Sequence, residues 1–327
     1  MTVLILARDI DPSADAMVEA VQQRGTRVCR VNTAWFPARL GLAAELRGGR
    51  WCGHLTTPAH TIELAEITGV YYRAPEAFRF PNEWKPQVRQ HAFLEAKYGL
   101  GGVLASLPAV WVNHPSRLAD AAYKPVQLTT ASQLGLRVPE TALTNDPEKF
   151  ATFARRGRTV TKMLGNTSMT SDETHSVAWT RVLDTADLDE VSGIESTVHL
   201  AQRWAPKRSE ARVIAVGETI TTVRIEAHSA ASHVDWRSDI GALRYELIDP
   251  PHQVAEGVRA LMRRFGLRYA ALDFVITPDE KWIFLEINPG GQYGWLEAAT
   301  GAAITDQLAE LLTSEAADPE EYHHATA

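Results

Sequence analysis

Apolar runs and amphipathic stretches alternate along the first third of the chain. Thr2–Ala7 is a continuous apolar run, which is typical of a buried strand. Asp11–Ser13 supplies a helix start with a proline, and Ala14–Arg24 follows with helix-forming residues. Gly25 ends this helix, and Arg27–Val31 has the pattern of a second strand. The β-α-β order predicts a parallel sheet, although the glycine fingerprint of dinucleotide-binding domains does not follow the first strand.

The same pattern continues to about residue 112. It predicts a strand at Ile67–Tyr72, a helix at Gln87–Tyr98 and a short buried strand at Val110–Val112. Arg73 directly follows the first of these strands. Strand carboxyl ends face the ligand crevice of a parallel sheet, so Arg73 could meet an anionic or peptide substrate. The alternative is a surface salt bridge.

The middle of the chain carries two lysines in contrasting settings. Ser116–Leu134 has a helical pattern that contains Lys124, and Pro125 disturbs the helix there. Lys162 lies in a β-branched, apolar strand that begins at Thr159. This lysine either points to solvent at a sheet edge or meets an anion such as a phosphate.

A polar, glycine-containing segment, Leu164–Asp172, is predicted to be a flexible lid loop, and His175–Arg181 a returning strand. Val198–Trp204 is a strand that runs into Pro206. Its free edge could pair with the edge of an adenine ring, or it could be an ordinary strand that leads into a linker.

The last third is predicted to contain strands at Lys207–Val216 and Glu218–Glu226 and helices at His252–Phe265 and Trp295–Leu312. An aspartate two residues before Arg237 could fix its guanidinium for a phosphate or a carboxylate. Taken singly, such arginines are more often structural.

Two aromatic-rich runs, Tyr269–Ile276 and Lys281–Ile287, flank the turn signal Thr277–Glu280. The spacing predicts a β-hairpin with a four-residue loop. With a loop of that length, Ile276 faces Lys281 across the hairpin.

This register places Asp273 opposite Phe284 and on the same face as Glu286, roughly 7–8 Å away at the Cα atoms. Asn288 shares that face. Two carboxylates and an amide oxygen suit Mg²⁺ beside substrate phosphates. Alternatively, the acids lie on a solvated face, and a loop one residue longer or shorter would turn Asp273 away. The turn Pro289–Gln292 lets backbone N–H groups approach a ligand closely.

Composition narrows the class of protein. The chain has 327 residues, which suggests two or three domains, and its 45% hydrophobic and 22% charged residues are ordinary for a soluble protein. A net charge of −7 gives no basic field for nucleic acid. There is no membrane-length apolar run and no signal peptide, and two cysteines indicate a reduced, cytoplasmic setting. The acidic segment Glu315–Ala327 is predicted to fray.

Several of these residues occur together in one order: Asn113, Lys124, Lys162, Gln202-Arg-Trp204, Lys207, Glu210-Ala-Arg212, Asp235-Trp-Arg237, Asp273 and Glu286-Ile-Asn288-Pro-Gly-Gly-Gln292. This order resembles the ATP-grasp ligases over residues 113–312. Within them, the D-W-R segment and the E-I-N-P-G-G-Q ending look most like the graspetide (microviridin-type) macrocyclases. The resemblance implies an α/β fold with three parts: a Rossmann-like pre-ATP-grasp domain (1–112), a central lid domain (113–205) and a C-terminal catalytic domain (206–327).

The resemblance implies a nucleotide pocket formed by Lys124, Lys162, Gln202, Trp204, Lys207 and Glu210. The first two would contact the ATP phosphates. Gln202 and Trp204 would form the adenine hinge, with the backbone of Trp204 pairing to the base. Glu210 would take the ribose hydroxyls.

It also implies that Asp273, Glu286 and Asn288 hold one or two Mg²⁺ ions. Arg212 and Arg237 would hold the γ-phosphate or the acceptor carboxylate. Arg73, Gly291 and Gln292 are candidate substrate contacts.

The implied partner is a ribosomal precursor peptide with a leader and a core, and the implied assembly is a homodimer. The enzyme would activate Asp or Glu side chains as acyl phosphates and join them to Thr, Ser or Lys side chains. Two alternatives remain open: a RimK-type ligase that adds an amino acid to a peptide or protein C-terminus, and an ATP-binding regulatory module without catalysis.

Overall fold

A computed structural model of the chain describes residues 1–165, 168–170, 175–177 and 180–314, with side chains in the first and last of these ranges. Residues 166–167 and 171–172 of the predicted loop Leu164–Asp172, and 178–179 of the predicted strand His175–Arg181, lie outside the described residues. Within the predicted loop, Ser168–Thr170 is a short strand instead. The segment 315–327, which was predicted to fray, lies outside them entirely. None of the described helices is long and apolar enough to cross a membrane.

The first part of the chain folds around a parallel sheet, as the sequence predicts. Its elements are β1 (Thr2–Ala7), α1 (Pro12–Gln23), β2 (Arg27–Val31), β3 (Gly41–Arg47), β4 (Arg50–Thr56), β5 (Thr61–Glu63), β6 (Ile67–Ala74), α2 (Pro86–Tyr98), α3 (Leu100–Ala105) and β7 (Val110–Val112). The parallel strands have the order β2-β1-β6-β7, and β3-β4-β5 form a separate antiparallel sheet. Asp11 starts α1 by accepting a hydrogen bond from the Ala14 N–H.

The central part carries a small antiparallel sheet in the order β12-β9-β13-β8. Its elements are α4 (Pro115–Ala121), α5 (Lys124–Gln133), β8 (Thr141–Thr144), α6 (Pro147–Arg155), β9 (Thr159–Thr161), β10 (Ser168–Thr170), β11 (His175–Val177), β12 (Arg181–Val182), α7 (Thr185–Asp189) and β13 (His199–Arg203). The predicted helix Ser116–Leu134 is therefore two helices, because Pro125 can stand only in the first turn of α5.

The last part is a five-stranded antiparallel sheet, β16-β15-β14-β17-β18, covered by helices. Its elements are β14 (Ser209–Val216), β15 (Thr219–Ala227), α8 (Ala230–Val234), β16 (Leu243–Ile248), α9 (His252–Phe265), β17 (Tyr269–Ile276), β18 (Trp282–Asn288), α10 (Gly294–Thr300) and α11 (Ile304–Thr313).

Two apolar cores enclose this last sheet. On one face, its side chains join those of α1, α11 and the parallel sheet in a continuous cluster. On the other face it packs against α9 and the region of α4 and α5. The helices α4 and α5 therefore pack on the C-terminal sheet, although they lie within the predicted central part 113–205. The first strand of the central sheet is β8. The domain boundaries themselves stay predictions.

The loop between β17 and β18 is one residue longer than predicted. Ile276 pairs with Trp282 and not with Lys281. Thr277 closes the loop, because its N–H donates to the Lys281 carbonyl at 2.9 Å and its Oγ1 accepts from the Lys281 N–H at 2.9 Å. The predicted four-residue loop is therefore wrong, and so is the register that followed from it.

Candidate active site

A β-bulge restores the alignment that the longer loop would have lost. Phe274 pairs with Phe284, but the next residue, Asp273, pairs with Glu286, so Leu285 is the extra residue on β18. The predicted pairing of Asp273 with Phe284 is wrong, yet both carboxylates lie on one face and are direct neighbours instead of diagonal ones. The bulge keeps the two phenylalanines in the apolar core and turns the two acids toward the pocket.

Two arginines hold the Asp273 carboxylate. Arg212 lies opposite Asp273 on β14, and its Nη1 donates to Oδ1 at 2.7 Å. Arg237 reaches the other oxygen, with Nη2 2.8 Å from Oδ2. Burial by itself would lower the pKa of Arg237, but the charges of Asp273, Asp235 and Glu286 outweigh it and raise that pKa. Arg237 is therefore a fixed cation at this site, and Arg212 holds the same carboxylate from the other side.

Lysines surround Glu286. The Lys124 Nζ donates to its Oε2 at 2.6 Å, and the Arg237 Nη2 lies 3.7 Å from its Oε1. Burial opposes ionisation of Glu286, but the charges of Lys162, Lys124 and Arg237 bring its pKa to about 2. Burial also lowers the pKa of Lys162, although the nearby Glu286 charge opposes that shift.

The oxygens here fit Mg²⁺ by their chemistry. Two opposed carboxylates stand beside Asn288, which follows on the same strand face and pairs with Ala271. The Asn288 Oδ1 currently accepts the Gly290 N–H at 3.1 Å. Within the described part of the chain, no group of three or more His, Cys, Asp or Glu side chains forms a metal cluster. An ion would therefore need oxygens from outside this set, such as those of a phosphate.

The charge balance of the site favours an anionic ligand. Seven charged side chains converge here: Asp235, Asp273, Glu286, Lys124, Lys162, Arg212 and Arg237. Four are basic and three acidic, so the cluster carries an excess positive charge. A polyphosphate that enters with Mg²⁺ would be attracted to this cluster.

The cluster forms one end of a cavity of about 750 Å³, a volume that includes its opening. Eight predicted site residues line it: Lys162, Gln202, Trp204, Lys207, Glu210, Arg237, Asp273 and Glu286. Lys124 and Arg212 stand behind this wall and bind the two carboxylates. Apolar side chains from β9, β15 and β17 line the rest, which suits a flat ring.

The predicted hinge lines the far end of the cavity. The Gln202 side chain is buried and donates to the Thr141 Oγ1 at 2.9 Å. The Trp204 N–H donates to the Arg158 carbonyl at 2.9 Å, so the backbone pairing predicted for Trp204 is restricted to its carbonyl. The Arg158 guanidinium lies 4.4 Å above the Trp204 ring.

Lys207 and Glu210 form a buried pair between the hinge and the carboxylates, with Nζ 3.0 Å from Oε1. Burial raises the pKa of Glu210 to about 7, against the opposing charge of Lys207. The Glu210 Oε2 is buried without a hydrogen-bond partner among the described residues. A ligand hydroxyl could satisfy this oxygen.

The candidate substrate contacts lie in a turn behind Arg212. Arg73 is 8% exposed, so it is not a surface residue; it donates to the Gly290 carbonyl at 3.3 Å and to the Gln292 Oε1. Gly291 is buried, and its N–H and carbonyl bond to Asn288 and Tyr269 inside the protein.

The Gln292 carbonyl lies 3.4 Å from the Arg212 Nη2. The turn therefore supports Arg212, and substrate contact by its residues stays a prediction. Gln292 and Gly290 are the exposed residues of the turn, and the Gln292 Oε1 already accepts from Arg73.

Sequence reasoning identified Asp235 as a partner of Arg237 but missed its second contact. Its Oδ1 accepts the Arg237 N–H at 3.1 Å, and its Oδ2 accepts the N–H of Thr180, the residue just before β12, at 3.2 Å. Trp236, also missed, packs against Trp295 with the two rings tilted by 32° and 4.8 Å between their centroids. The D-W-R segment itself was the signal for both residues.

Comparison with known proteins gives a consistent result. A family described as the MvdD pre-ATP-grasp domain matches residues 2–119. No curated protein sequence matches the chain. A Chryseobacterium gregarium ligase associated with ribosomally synthesised peptides, solved with ADP and a leader and core peptide, is 25% identical. The match covers 97% of this chain and 98% of that one, with a TM-score of 0.89.

Two further solved structures come from Microcystis aeruginosa. The macrocyclase MdnC, bound with its precursor peptide MdnA, is 31% identical over 95% of this chain and 99% of its own, with a TM-score of 0.83. The macrocyclase MdnB is 26% identical over 95% of this chain and 99% of its own, with a TM-score of 0.78. The matches span almost the full length of both chains. The chain belongs to the ATP-grasp ligases of the graspetide macrocyclase family.

Proposed function

We propose that the protein activates Asp or Glu side chains of a ribosomal precursor peptide as acyl phosphates and joins them to Thr, Ser or Lys side chains as esters or amides. One observation carries the proposal. Asp273 and Glu286 face each other at the end of a cavity whose far end is a hinge strand, and basic side chains surround both acids. MdnC and the C. gregarium ligase, which are both solved with peptide, support the choice of substrate.

The residues at the two ends of the cavity fix the direction in which a nucleotide would lie. The adenine would lie at the hinge between Gln202 and Trp204, where the wall is apolar, and its amino group can donate to a backbone carbonyl. Glu210 would accept from the ribose hydroxyls. The phosphates would then reach Lys162 and Lys124, whose charges face the carboxylates.

Asp273, Glu286 and Asn288 would hold one or two Mg²⁺ ions. When bound, Mg²⁺ supplies positive charge that neutralises the transferred phosphoryl group. Entry of the ion requires that the lysine and arginine bonds to the two carboxylates be shared with it or released. The phosphate oxygens are negatively charged, as the carboxylates are, and offer these lysines and arginines an alternative partner.

Two bond-forming steps complete the reaction. A peptide carboxylate oxygen attacks the γ-phosphorus, the bond to the β-phosphate oxygen breaks, and ADP leaves. A hydroxyl or amine of the same peptide then attacks the acyl carbon, loses its proton, and inorganic phosphate leaves. Arg237 lines the cavity beside Asp273, where it can orient the substrate carboxylate and neutralise the phosphoryl oxygens. Arg212 stands behind Asp273 and would add its charge to the site through that carboxylate.

The test is mass spectrometry of the protein with ATP, Mg²⁺ and the precursor peptide encoded beside it. Ring formation removes one water per link and yields one ADP for each. A RimK-type reaction would instead add the mass of an amino acid, and a regulatory module would form no ADP. Either of these outcomes contradicts the macrocyclase proposal.

We also propose a homodimer, on the family resemblance alone. Light scattering coupled to gel filtration tests it, and a monomeric mass would reject it.

A further inference from the structure

The strand that carries Glu286 and Asn288 is the outer edge of its sheet. β18 pairs with β17 on one side, and on the other side it forms an isolated bridge between Ile283 and Arg137, so its remaining outward backbone groups face away from the sheet. Polar backbone groups in a buried position need partners. Near the loop, the edge is closed by the Arg137 carbonyl, which accepts the Phe284 N–H at 2.8 Å.

At the other end of β18, a side chain takes the place of a neighbouring strand. The Gln127 Oε1 accepts the Ile287 N–H at 3.2 Å, and its Nε2 donates to the Ile287 carbonyl at 3.0 Å. The same Nε2 also donates to the Ala121 carbonyl at 2.7 Å. Gln127 is 3% exposed. Its amide therefore bonds both outward backbone groups of the residue between Glu286 and Asn288, as a paired strand would.

The same helix supplies the lysine that binds Glu286. Lys124 stands three residues before Gln127 on α5, so the two side chains share a helix face. The Lys124 Nζ reaches the Glu286 Oε2 at 2.6 Å, while Gln127 fixes the next residue of the strand. One amide thus sets the distance between α5 and β18 at the point where lysine and carboxylate meet.

We propose that Gln127 is a positioning residue for the magnesium–nucleotide site, acting through Glu286, Asn288 and Lys124 without touching the ligand. The identity of that ligand rests on the proposed function. Groups that orient metal-binding side chains typically contribute about 10- to 100-fold to metal affinity or activity. The pairing of Gln127 with Ile287 is not part of any motif in the sequence.

The test is calorimetric binding of ADP, with and without Mg²⁺, to Gln127→Met. Methionine keeps the length and volume of the side chain but makes neither backbone bond. We expect the Mg²⁺-dependent gain in ADP affinity to fall about 10- to 100-fold, and the affinity without Mg²⁺, which Lys124 also supports, to fall less. Gln133→Met, the same change at an exposed position of α5, is the matched control and should behave as the unmodified protein.

A second variant covers the case in which Gln127→Met does not fold. Gln127→Glu keeps an oxygen for the Ile287 N–H but, when ionised, cannot donate to the Ile287 carbonyl. We expect this variant, too, to lose the Mg²⁺-dependent gain in ADP affinity. Combined with Lys124→Met, its effect should be smaller than the sum of the two single effects, because both act on Glu286.

Three results would reject the role of Gln127: unchanged binding in both variants, equal loss with and without Mg²⁺, or full additivity with Lys124→Met. If the unmodified protein itself gained no ADP affinity from Mg²⁺, the proposed function would fail instead. The two failures are therefore distinguishable.

Discussion

Asp273 and Glu286 lie directly opposite each other on adjacent strands, although the loop that joins those strands is a residue longer than its sequence signal predicts. The bulge at Leu285 cancels the shift. Without it, one acid would turn into the apolar core, where an unpaired charge is costly. The bulge is therefore as necessary to the proposed metal site as the acids themselves.

The first prediction concerns Glu286. Replacing it with Gln preserves size and an acceptor for Lys124 but removes the charge that attracts Mg²⁺. We expect Mg²⁺-dependent ADP formation to fall by about two orders of magnitude or more. Coupled detection of ADP measures it, and circular dichroism should show the fold intact. Full turnover by this variant would contradict the site assignment.

The sequence predicted most of the elements around this site because their patterns are local. The strands β1, β2 and β6, their parallel sheet and the helix α9 follow from periodicity and from start and stop residues. The hairpin register did not, because a bulge has no composition of its own: Leu285 is simply another apolar residue. The conclusion about the shared face was correct although the pairing behind it was wrong.

Long-range contacts marked the limit of sequence reasoning. Arg73 was weighed as a substrate contact or a surface residue, but it is buried against a turn more than two hundred residues away. Gln127 had no signal, because a lone glutamine in a helix looks like a solvated one. The chemistry of the motif residues could be assigned from their types, whereas the residues that hold them in place required the fold.

The second prediction separates substrate use from nucleotide binding. Arg237 bonds Asp273 through one nitrogen, and its exposed fraction, 36% of the side chain, leaves it able to meet a peptide carboxylate. Replacing it with Ala should lower kcat/KM for the peptide by about 100-fold and weaken ADP binding much less. Steady-state kinetics and calorimetry measure the two effects. Equal losses would contradict its proposed role.

The third prediction uses the pKa of Glu210, which burial raises to about 7. The unfolded chain ionises this group near pH 4.5, so between about pH 4.5 and 7 the folded protein binds more protons than the unfolded one. The contribution of Glu210 to stability is therefore greatest at low pH and is lost as the pH rises toward 7.

Glu210→Gln should remove this dependence, because the amide is neutral at every pH. We expect the free energy of unfolding of the unmodified protein, relative to the variant, to decline between pH 5 and 7 by on the order of 3 kcal/mol at most. Urea denaturation at several pH values measures it. A relative stability that is flat or rises with pH would show that Glu210 is ionised throughout.

The last prediction concerns Gly291, which allows Arg212 to reach Asp273. A Cβ at this position would stand 2.6 Å from the Ala271 Cβ and 2.7 Å from the Arg212 Nη2, so Gly291→Ala must displace the guanidinium or the strand. We expect a loss of about 1–3 kcal/mol in stability, together with a fall in ADP formation. Gly290→Ala is the control, since its nearest heavy atom would be 4.0 Å away. Thermal unfolding compares the two, and equal melting temperatures would show that the turn can move without cost and that Arg212 does not depend on it.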